Sequence, residues 1–424
     1  MKQRRLNHKR WPIQILTGLV VFATLGLTQL FNAYAGGVLY VAPSGNDANS
    51  CVTLSTACLT ITAAVSKAVS GDTIVIAAGT YVESPQIGKN LTLIGFGADA
   101  TIIDQGQIYV SKATVNIFDL AITHGGGGTG GDGGALFNDM GAVTLGYASI
   151  ISSHAGTGGG IYNYRGTLIL DHSIVANNSV VRDGGGIYNG VGKVSISHST
   201  IMSNTACNTN CLYLAGRELT VTRPLTGFNS FGGGIVNDSG LMTIDTSAII
   251  SNSTVFGGGD GIYNIGPLYI TNSTVSANAG YGLWNVSTVT LTNVTLNENV
   301  LIGLRNDGGT QLKNTIIANT NGGGTCLGSI VSLGHNLSSD GSCSLNASGD
   351  LTNTNPLLGP LQDNGGPTPT HALLPGSPAI NASANGGCPA TDQRDVARPQ
   401  AGVCDIGAYE YVFPDRLLLP LVAR

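Results

Sequence analysis

The six residues GGGIYN occupy positions 158–163 and return unchanged at 184–189. Looser copies of this hexapeptide are GGALFN (133–138), GGGIVN (232–237), GDGIYN (259–264), GYGLWN (280–285) and LIGLRN (301–306). The asparagines that close successive copies are 21 to 27 residues apart, except for one step of 48 residues between Asn189 and Asn237. A sequence period of this length indicates a repeat protein in which each unit stacks on its neighbours.

A second motif follows the hexapeptide in most units. Its copies are LDHSIVANN (170–178), ISHSTIMSN (196–204), IDTSAIISN (244–252), ITNSTVSAN (270–278), LTNVTLNEN (291–299) and LKNTIIAN (312–319). Apolar and polar residues alternate with a period of two in both motifs, which is typical of β-strands. Because strands this short cannot bury an apolar face alone, the predicted fold class is all-β, a right-handed parallel β-helix solenoid. Glycine and asparagine suit its sharp corners, and inward asparagines are expected to form ladders between coils.

The segments on either side of the repeat predict its two ends. TITAAVSKAVSG (60–71) has apolar residues at helical spacing, with Thr60 as N-cap and Gly71 as stop, so a helix is expected to cover the first coil. The expected regions are a strand and capping helix at 36–71, the solenoid at 72–350 with an insertion at about 207–231, a loop-rich cap at 351–411 and a tail at 412–424. The tail is an edge strand or a short sorting signal, since it is too short to span a membrane.

The first 35 residues have the parts of a signal peptide: basic MKQRRLNHKR, apolar IQILTGLVVFATLGLTQLF, and AYA before a cleavage point after Ala35. A single membrane anchor is the alternative. The expected localisation is secreted or cell surface, with no membrane span after the leader is removed. Removing the leader leaves 19 − 5 = 14 basic residues against 24 acidic ones, a net charge of about −10. Nucleic-acid binding is not expected, because it requires a basic surface.

The eight cysteines fall into near neighbours along the chain. In an exported protein the expected disulfides are Cys51–Cys58, Cys207–Cys211, Cys326–Cys343 and Cys388–Cys404, although the sequence leaves the connectivity open. A zinc site at these cysteines is not expected, because no CxxC pair occurs and no histidine has ligand spacing beside a cysteine. The glycine runs open strands and lack the GK[ST] of a phosphate loop, so no nucleotide or other cofactor is expected.

Two segments resemble known β-helix proteins. LYVAPSGNDANSC (39–51) and LTITAAVSKAVSGDTIVIAAGTYVES (59–84) look like the entry of pectin-lyase-like right-handed parallel β-helix proteins. The hexapeptide and NSTVSANA (272–279) units resemble the parallel β-helix repeats of bacterial surface proteins, including the polymorphic outer-membrane type. This resemblance implies the solenoid fold, and both enzymes and adhesins share that fold.

The C-terminal segment 355–411 strongly resembles the choice-of-anchor Q domain, found at the C-terminal side of many surface β-helix proteins. Its motifs match at 363–367, 371–379, 392–394, 398–399 and 405–410, whereas Asn381 replaces the usual Asp and Asp395 the usual Gly. Arg394 and Arg398 lie close in sequence to Asp392, Asp395 and Asp405, so paired charges are expected to hold these loops together. A metal or catalytic cluster that includes His371 is the alternative.

The hexapeptide predicts a column of outward aromatic side chains, because Ile and Asn share one face of the strand and Tyr takes the other. The outward column is Phe137, Tyr162, Tyr188, Val236, Tyr263, Trp284 and Arg305, and the inward column is Leu136, Ile161, Ile187, Ile235, Ile262, Leu283 and Leu304. The predicted ligand-binding residues are the five aromatic ones, since the spacing of coils is close to that of sugar units in a glycan. Mutual stacking, or cover by loops, is the alternative.

The functional hypothesis is a non-catalytic, monomeric surface protein that binds extracellular polysaccharide or a surface protein. One alternative is a polysaccharide lyase or glycoside hydrolase, whose candidate catalytic residues are Asp171, His172, Arg182 and Asp183 on neighbouring units. The other is a purely structural envelope protein. GGTGGDGGA (127–135) partly matches a calcium-binding repeat, so Asp132 is a weak candidate for a metal ligand.

Overall fold

The computed structural model describes residues 36–127, 131–206, 231–255, 258–318, 320, 324–384 and 386–413. The predicted signal peptide, the Cys207–Cys211 pair and most of the predicted insertion and tail lie outside these residues. In the described part of the chain, no helix is both long enough and apolar enough to cross a membrane.

The described chain is a parallel β-helix, which confirms the predicted fold class. A typical coil passes through three long parallel sheets in turn, called sheets 1, 2 and 3, and the strands of each are given for the described residues. Sheet 1 has ten strands: Gln86–Ile87, Ile108–Ser111, Leu136–Asp139, Ile161–Tyr164, Ile187–Asn189, Ile235–Asn237, Ile262–Asn264, Tyr281–Asn285, Ile302–Asn306 and Cys326–Leu327. Sheet 2 has twelve: Val38–Val41, Thr73–Ile76, Leu91–Ile94, Thr114–Phe118, Ala142–Gly146, Thr167–Asp171, Lys193–Ser197, Leu241–Asp245, Leu268–Thr271, Thr288–Thr292, Gly309–Lys313 and Val331–Ser332. Sheet 3 has eleven: Gly79–Tyr81, Thr101–Asp104, Ala121–Thr123, Ser149–Ile151, Ile174–Ala176, Thr200–Met202, Ala248–Ile250, Thr274–Ser276, Thr295–Asn297, Ile316–Ala318 and Leu337–Ser338.

Four middle coils add a fourth, short sheet between sheet 3 and sheet 1. Its strands are His154–Ala155, Ser179–Val180, Thr205–Ala206 and Ser253–Thr254. The described residues also form a 3-10 helix at Leu54–Thr56, an α-helix at Ile61–Lys67, and an antiparallel hairpin of Leu358–Gln362 with Thr370–Leu373.

Equivalent positions of the repeat lie in register from coil to coil. Leu136, Ile161 and Ile187 pair in adjacent strands and are fully buried, so the isoleucine of the hexapeptide fills the core. The closing asparagines also point inward: the side-chain amide of Asn163 donates to Oδ1 of Asn189 at 2.8 Å. This ladder consists of Asn138, Asn163, Asn189, Asn237, Asn264, Asn285 and Asn306. A second ladder follows sheet 3 and consists of Asn178, Asn204, Asn252, Asn278 and Asn299.

The first glycine of the hexapeptide turns the chain into sheet 1. Gly158 has a φ of +62° and Gly184 one of +71°, a region that residues with a Cβ rarely adopt. A Cβ added to Gly158 would lie only 2.5 Å from the carbonyl oxygen of Ile161. The repeated glycines are therefore corners of the solenoid.

The N-terminal helix covers the first coils. Its N-cap is Thr60, whose hydroxyl accepts a hydrogen bond from the amide of Ala63 at 3.1 Å, and Glu83 accepts the amide of Ile61 at 2.7 Å. Ile61 and Ala64 are buried against the end of the core. The helix ends at Lys67, before the predicted stop at Gly71, because the amide of Val69 is held by the Asp72 side chain.

The cap packs against the side of the solenoid over the outer face of sheet 3. An apolar cluster joins Ile316 and Leu337 of sheet 3 to cap residues that include Leu373 and Ile406. The Nε2 atom of the buried His371 is hydrogen-bonded to the Ser276 hydroxyl at 2.8 Å, and this bond anchors the hairpin to sheet 3. Along the neighbouring corner, cap backbone and solenoid asparagines bind each other.

Three of the predicted disulfides lie in the described chain. They are Cys51–Cys58 beside the N-terminal helix, Cys326–Cys343 in the last coil and Cys388–Cys404 in the cap. Each bridge closes a single loop. Cys51–Cys58 and Cys326–Cys343 lie at the two ends of the solenoid, where the regular coils stop.

Candidate functional site

Sheet 1 carries a column of aromatic side chains on its outer face. The outward positions of successive strands are Tyr109, Phe137, Tyr162, Tyr188, Val236, Tyr263, Trp284 and Arg305. The aromatic members are half-buried, whereas the alternate positions of the same strands face the core. The structure thus places all five predicted ligand-binding residues in one column, which Tyr109 extends by one coil.

Neighbouring rings of this column contact each other directly. The ring centroids of Phe137 and Tyr162 are 5.1 Å apart, edge to face, and those of Tyr162 and Tyr188 are 5.2 Å apart and nearly parallel. Tyr109 meets Phe137 edge to face at 5.2 Å. Such contacts stabilise the stack and leave ring edges, with part of each ring, toward solvent.

Val236 is the one aliphatic position of the column before Arg305, and an aromatic residue from outside the repeat lies in the same coil. Val236 is only 2% exposed, and Phe231 stacks on the ring of Tyr263 with centroids 4.3 Å apart. The backbone amide of Phe231 donates to Asp183 Oδ1 at 2.9 Å, which holds Phe231 in place. The end of the insertion thus supplies the aromatic ring that the repeat lacks at this coil, and only its position just before the hexapeptide at 232 signals it in sequence.

Three carboxylates bind the polar tips of the column. The hydroxyl of Tyr109 donates to Asp139 Oδ2 at 3.0 Å and that of Tyr188 to Asp238 Oδ2 at 2.9 Å. The indole nitrogen of Trp284 donates to Asp307 Oδ2 at 2.7 Å. Each aspartate belongs to the coil after its aromatic partner. This pairing was not predicted from the sequence, where its signal is an Asp directly after the closing Asn of three hexapeptides.

We call this surface the aromatic face: the rings of the column and the three aspartates. Burial, together with the nearby Asp238 carboxylate, raises the pKa of Tyr188. Burial also raises the pKa of Tyr162 and of Tyr263, so these phenols remain neutral hydrogen-bonding groups at physiological pH. At one end the Arg305 guanidinium lies 3.9 Å from the Trp284 ring centroid and pairs with Asp307. The aromatic face therefore combines apolar rings with carboxylate acceptors.

The four candidate catalytic residues lie at two separate corners. Asp171 and His172 are where sheet 2 turns into sheet 3, whereas Arg182 and Asp183 are in the segment that leads from the fourth sheet into sheet 1. Burial raises the pKa of Asp183, and its carboxylate supports Phe231 of the aromatic face. The structure does not bring the two pairs together. Asp171 and His172 meet His198 of the next coil instead.

Asp132 contributes one carboxylate to the turn before sheet 1. Its backbone carbonyl accepts the side-chain amide of Gln107 at 2.7 Å, and its Oδ1 is buried without a hydrogen-bond partner among the described residues. Calcium at Asp132 stays a prediction, because one carboxylate supplies only part of the oxygen shell that calcium takes.

The charged residues of the cap hold its loops together. Arg394 donates through Nε and one terminal nitrogen to Asp392 Oδ2, at 3.0 and 2.7 Å. The buried Arg398 pairs with Glu410 at 2.9 Å, a partner that was not predicted from the sequence. Asp395 turns away from both arginines and contacts His198. His371 lies apart from these pairs, bonded to Ser276 of sheet 3.

Comparison with known proteins gives structural neighbours only. No family model matches the chain, and no curated protein matches it. A pectate lyase overlaps 88% of this chain and 96% of its own, with 15% sequence identity and a TM-score of 0.49. A rhamnogalacturonan lyase overlaps 74% of this chain and 89% of its own, with 12% identity and a TM-score of 0.42. The activities in these names are those of the two neighbours, and the resemblance of 355–411 to the choice-of-anchor Q domain stays a prediction.

Proposed function

We propose that this chain is a secreted or cell-surface, non-catalytic protein that binds an extended polysaccharide along sheet 1. The observation that carries the proposal is the aromatic face, in which half-buried rings recur along successive coils and three carboxylates lie beside them. Coils of a parallel β-helix are about 4.8 Å apart, which is close to the length of one sugar unit. A linear glycan lying along the column would meet an equivalent ring or carboxylate at each step.

The side chains of the aromatic face offer both kinds of contact that sugars make. The ring edges that Tyr162 and Tyr188 leave toward solvent would contact the apolar C–H groups of a pyranose. The carboxylates of Asp139 and Asp238 accept hydrogen bonds from the tyrosines and have lone pairs left for sugar hydroxyls. Because Tyr109, Tyr188 and Trp284 are tethered by hydrogen bonds and Tyr162 stacks on Tyr188, little side-chain entropy is lost when a ligand binds.

The charge of the aromatic face selects among polysaccharides. Asp139, Asp238 and Asp307 line it, and Arg305 is already paired with Asp307. Like charges facing each other across an interface disfavour binding. The proposed ligand is therefore a neutral or amino-sugar polysaccharide, and a polyuronate is disfavoured.

A binding assay with single-ring variants tests the proposal. Affinity electrophoresis of the mature protein on neutral, amino-sugar and polyuronate polymers should show retardation by the first two classes. Tyr162→Ala and Tyr188→Ala should each weaken that retardation at least several-fold. Tyr269→Ala is the matched control, because Tyr269 is an exposed tyrosine of sheet 2. Equal retardation of all three variants would remove the aromatic face from the function.

Polysaccharide cleavage is the alternative that the same samples address. Release of reducing ends or of unsaturated uronates from any polymer would replace the binding proposal with a lyase or hydrolase. The separation of Asp171 and His172 from Arg182 and Asp183 favours binding without turnover.

The proposal also includes export through the leader, a monomeric state and surface attachment through the C-terminal segment. N-terminal sequencing of the exported protein, light scattering and cell fractionation test these three parts.

A further inference from the structure

Two histidines from consecutive coils stack on each other at the corner between sheets 2 and 3. His172 and His198 occupy the same position of the repeat, since Asp171 pairs with Ser197 and Ile174 with Thr200 in the flanking strands. Both histidines adopt a left-handed corner conformation, with φ of 47° and 46°. Their rings are nearly parallel with centroids 4.6 Å apart, and Tyr147 of the preceding coil stacks on His172 at 4.8 Å.

One carboxylate faces both rings. Asp171 Oδ2 is 2.9 Å from Nδ1 of His172, and Asp171 Oδ1 is 3.1 Å from Nδ1 of His198. One ligand atom from each of the three residues lies within 4.8 Å of the other two. The three side chains are 25% to 41% exposed, so a small ion reaches them from solvent.

Asp395 of the cap contacts the far side of His198. Its Oδ1 is 3.3 Å from Nε2 of His198, so this imidazole lies between two carboxylates. In the tautomer whose Nε2–H donates to Asp395, the lone pair of Nδ1 faces Asp171 Oδ1, and a cation held between these two atoms would bond to both. Asp245 of the following coil, which pairs in register with Ser197, adds a further negative charge near His198.

We propose that Asp171, His172 and His198 form a binding site for a divalent transition-metal ion, with Zn²⁺ as the first candidate. Two imidazole nitrogens and one carboxylate oxygen are ligands that zinc prefers, whereas calcium takes a shell of oxygens. Histidine ligands commonly donate their second ring N–H to a carboxylate, the relation in which Asp395 stands to His198. Asp395 is therefore a positioning residue, and the ion would link the cap to the solenoid. This site is independent of the aromatic face.

Calorimetry with Zn²⁺ on the chelator-treated mature protein tests the site. The expected result is one Zn²⁺ bound per chain, with at least a tenfold loss of affinity in His172→Asn and in His198→Asn. Asparagine is the suitable replacement because Asn272, Asn293 and Asn314 occupy the same corner in later coils with φ of 44° to 52°. Asp395→Asn should lower the affinity about 10- to 100-fold while leaving one site per chain.

His124→Asn is the matched control. His124 also has a left-handed φ, of 49°, and pairs with Asp104 at 2.7 Å, but it lies outside the three-residue group. Its Zn²⁺ affinity should equal that of the wild type, and thermal melts in chelator should show all variants folded. Cobalt substitution should give visible absorption bands that the His172→Asn, His198→Asn double variant loses. Absence of stoichiometric Zn²⁺ binding, or equal affinity in the double variant, would overturn the proposal.

Discussion

The hydroxyl of Tyr188 donates a hydrogen bond to Asp238 Oδ2 across 2.9 Å, from one coil to the next. Both residues lie on the outer face of sheet 1, where the same relation joins Tyr109 to Asp139. Backbone ladders and the buried asparagines hold the coils together from within. These outer bonds orient the rings that carry them, and ring contacts hold the neighbouring rings, so the aromatic face is a preformed surface.

The first prediction concerns this tether. Tyr188→Phe keeps the stacked ring but removes the donor to Asp238, so the free energy of unfolding should fall by about 1 kcal/mol. Polysaccharide retardation should weaken less than in Tyr188→Ala, because the ring remains. Urea unfolding and affinity electrophoresis measure the two effects. Tyr162→Phe is the control, since the Tyr162 hydroxyl makes no hydrogen bond with a described residue; equal losses in both variants would contradict the role of the tether.

The periodic parts of the molecule could be predicted from the sequence. The residue types of the hexapeptide predict its geometry: the first glycine suits positive φ, the isoleucine faces inward and the tyrosine faces outward. Because the hexapeptide repeats, each of these positions forms a column. Tyr162 over Tyr188 follows from this alternation alone. The five aromatic residues of the candidate site were therefore found without a structure.

The contacts that join distant or non-repeating parts were not predictable in the same way. Phe231 belongs to the insertion and enters the column through folding, not through the period. Asp395 reaches His198 across 197 residues, because the cap folds back along the side of the solenoid. A charge pattern within the cap suggested arginine partners for Asp395, and tertiary packing gave it a histidine instead. The N-terminal helix similarly ends early because the Asp72 side chain takes the amide of Val69.

The second prediction concerns the buried asparagine ladder. Asn189 accepts a hydrogen bond from Asn163 and donates to Asn237, both at 2.8 Å, and none of these side chains is exposed. Asn189→Ala leaves a buried donor and a buried acceptor without their partner, so we expect a loss of about 2 to 3 kcal/mol in the free energy of unfolding. Ser195→Ala on the exposed face of sheet 2 is the control and should change it by less than about 0.5 kcal/mol. Similar urea midpoints for both variants would contradict the ladder's contribution.

The third prediction concerns the pH dependence of the cap. Burial raises the pKa of Asp405 to about 6 from its ordinary value of 3.8. The folded state therefore holds this proton more tightly than the unfolded state, so the contribution of Asp405 is fully present below about pH 4 and is lost as pH rises through 6. The loss amounts to roughly 3 kcal/mol for a shift of about two units.

Asp405→Asn isolates this contribution, since the amide does not titrate. Asn loses one acceptor toward the backbone amide of Tyr411, so the variant is expected to be less stable than the wild type at pH 4. Its relative stability should improve as pH rises from 4 to 7. Urea unfolding at several pH values gives the difference between the two proteins, and a difference that stays constant with pH would show that Asp405 does not titrate in this range.

The fourth prediction concerns alkaline stability at the N-terminal end. The Tyr81 side chain is 5% exposed and its hydroxyl donates to the Ala77 carbonyl at 2.9 Å. Burial, aided by the Glu83 carboxylate, raises the pKa of Tyr81 to about 12. The unfolded phenol ionises near pH 10, so the stabilisation is present below that pH and declines by roughly 3 kcal/mol up to pH 12. Tyr81→Phe should lower stability by about 1 kcal/mol at pH 8 through the lost hydrogen bond, yet fall less steeply above pH 10. Unfolding free energies from pH 8 to 12 compare the two slopes; parallel curves would mean that Tyr81 ionises as readily in the folded protein as in the unfolded chain.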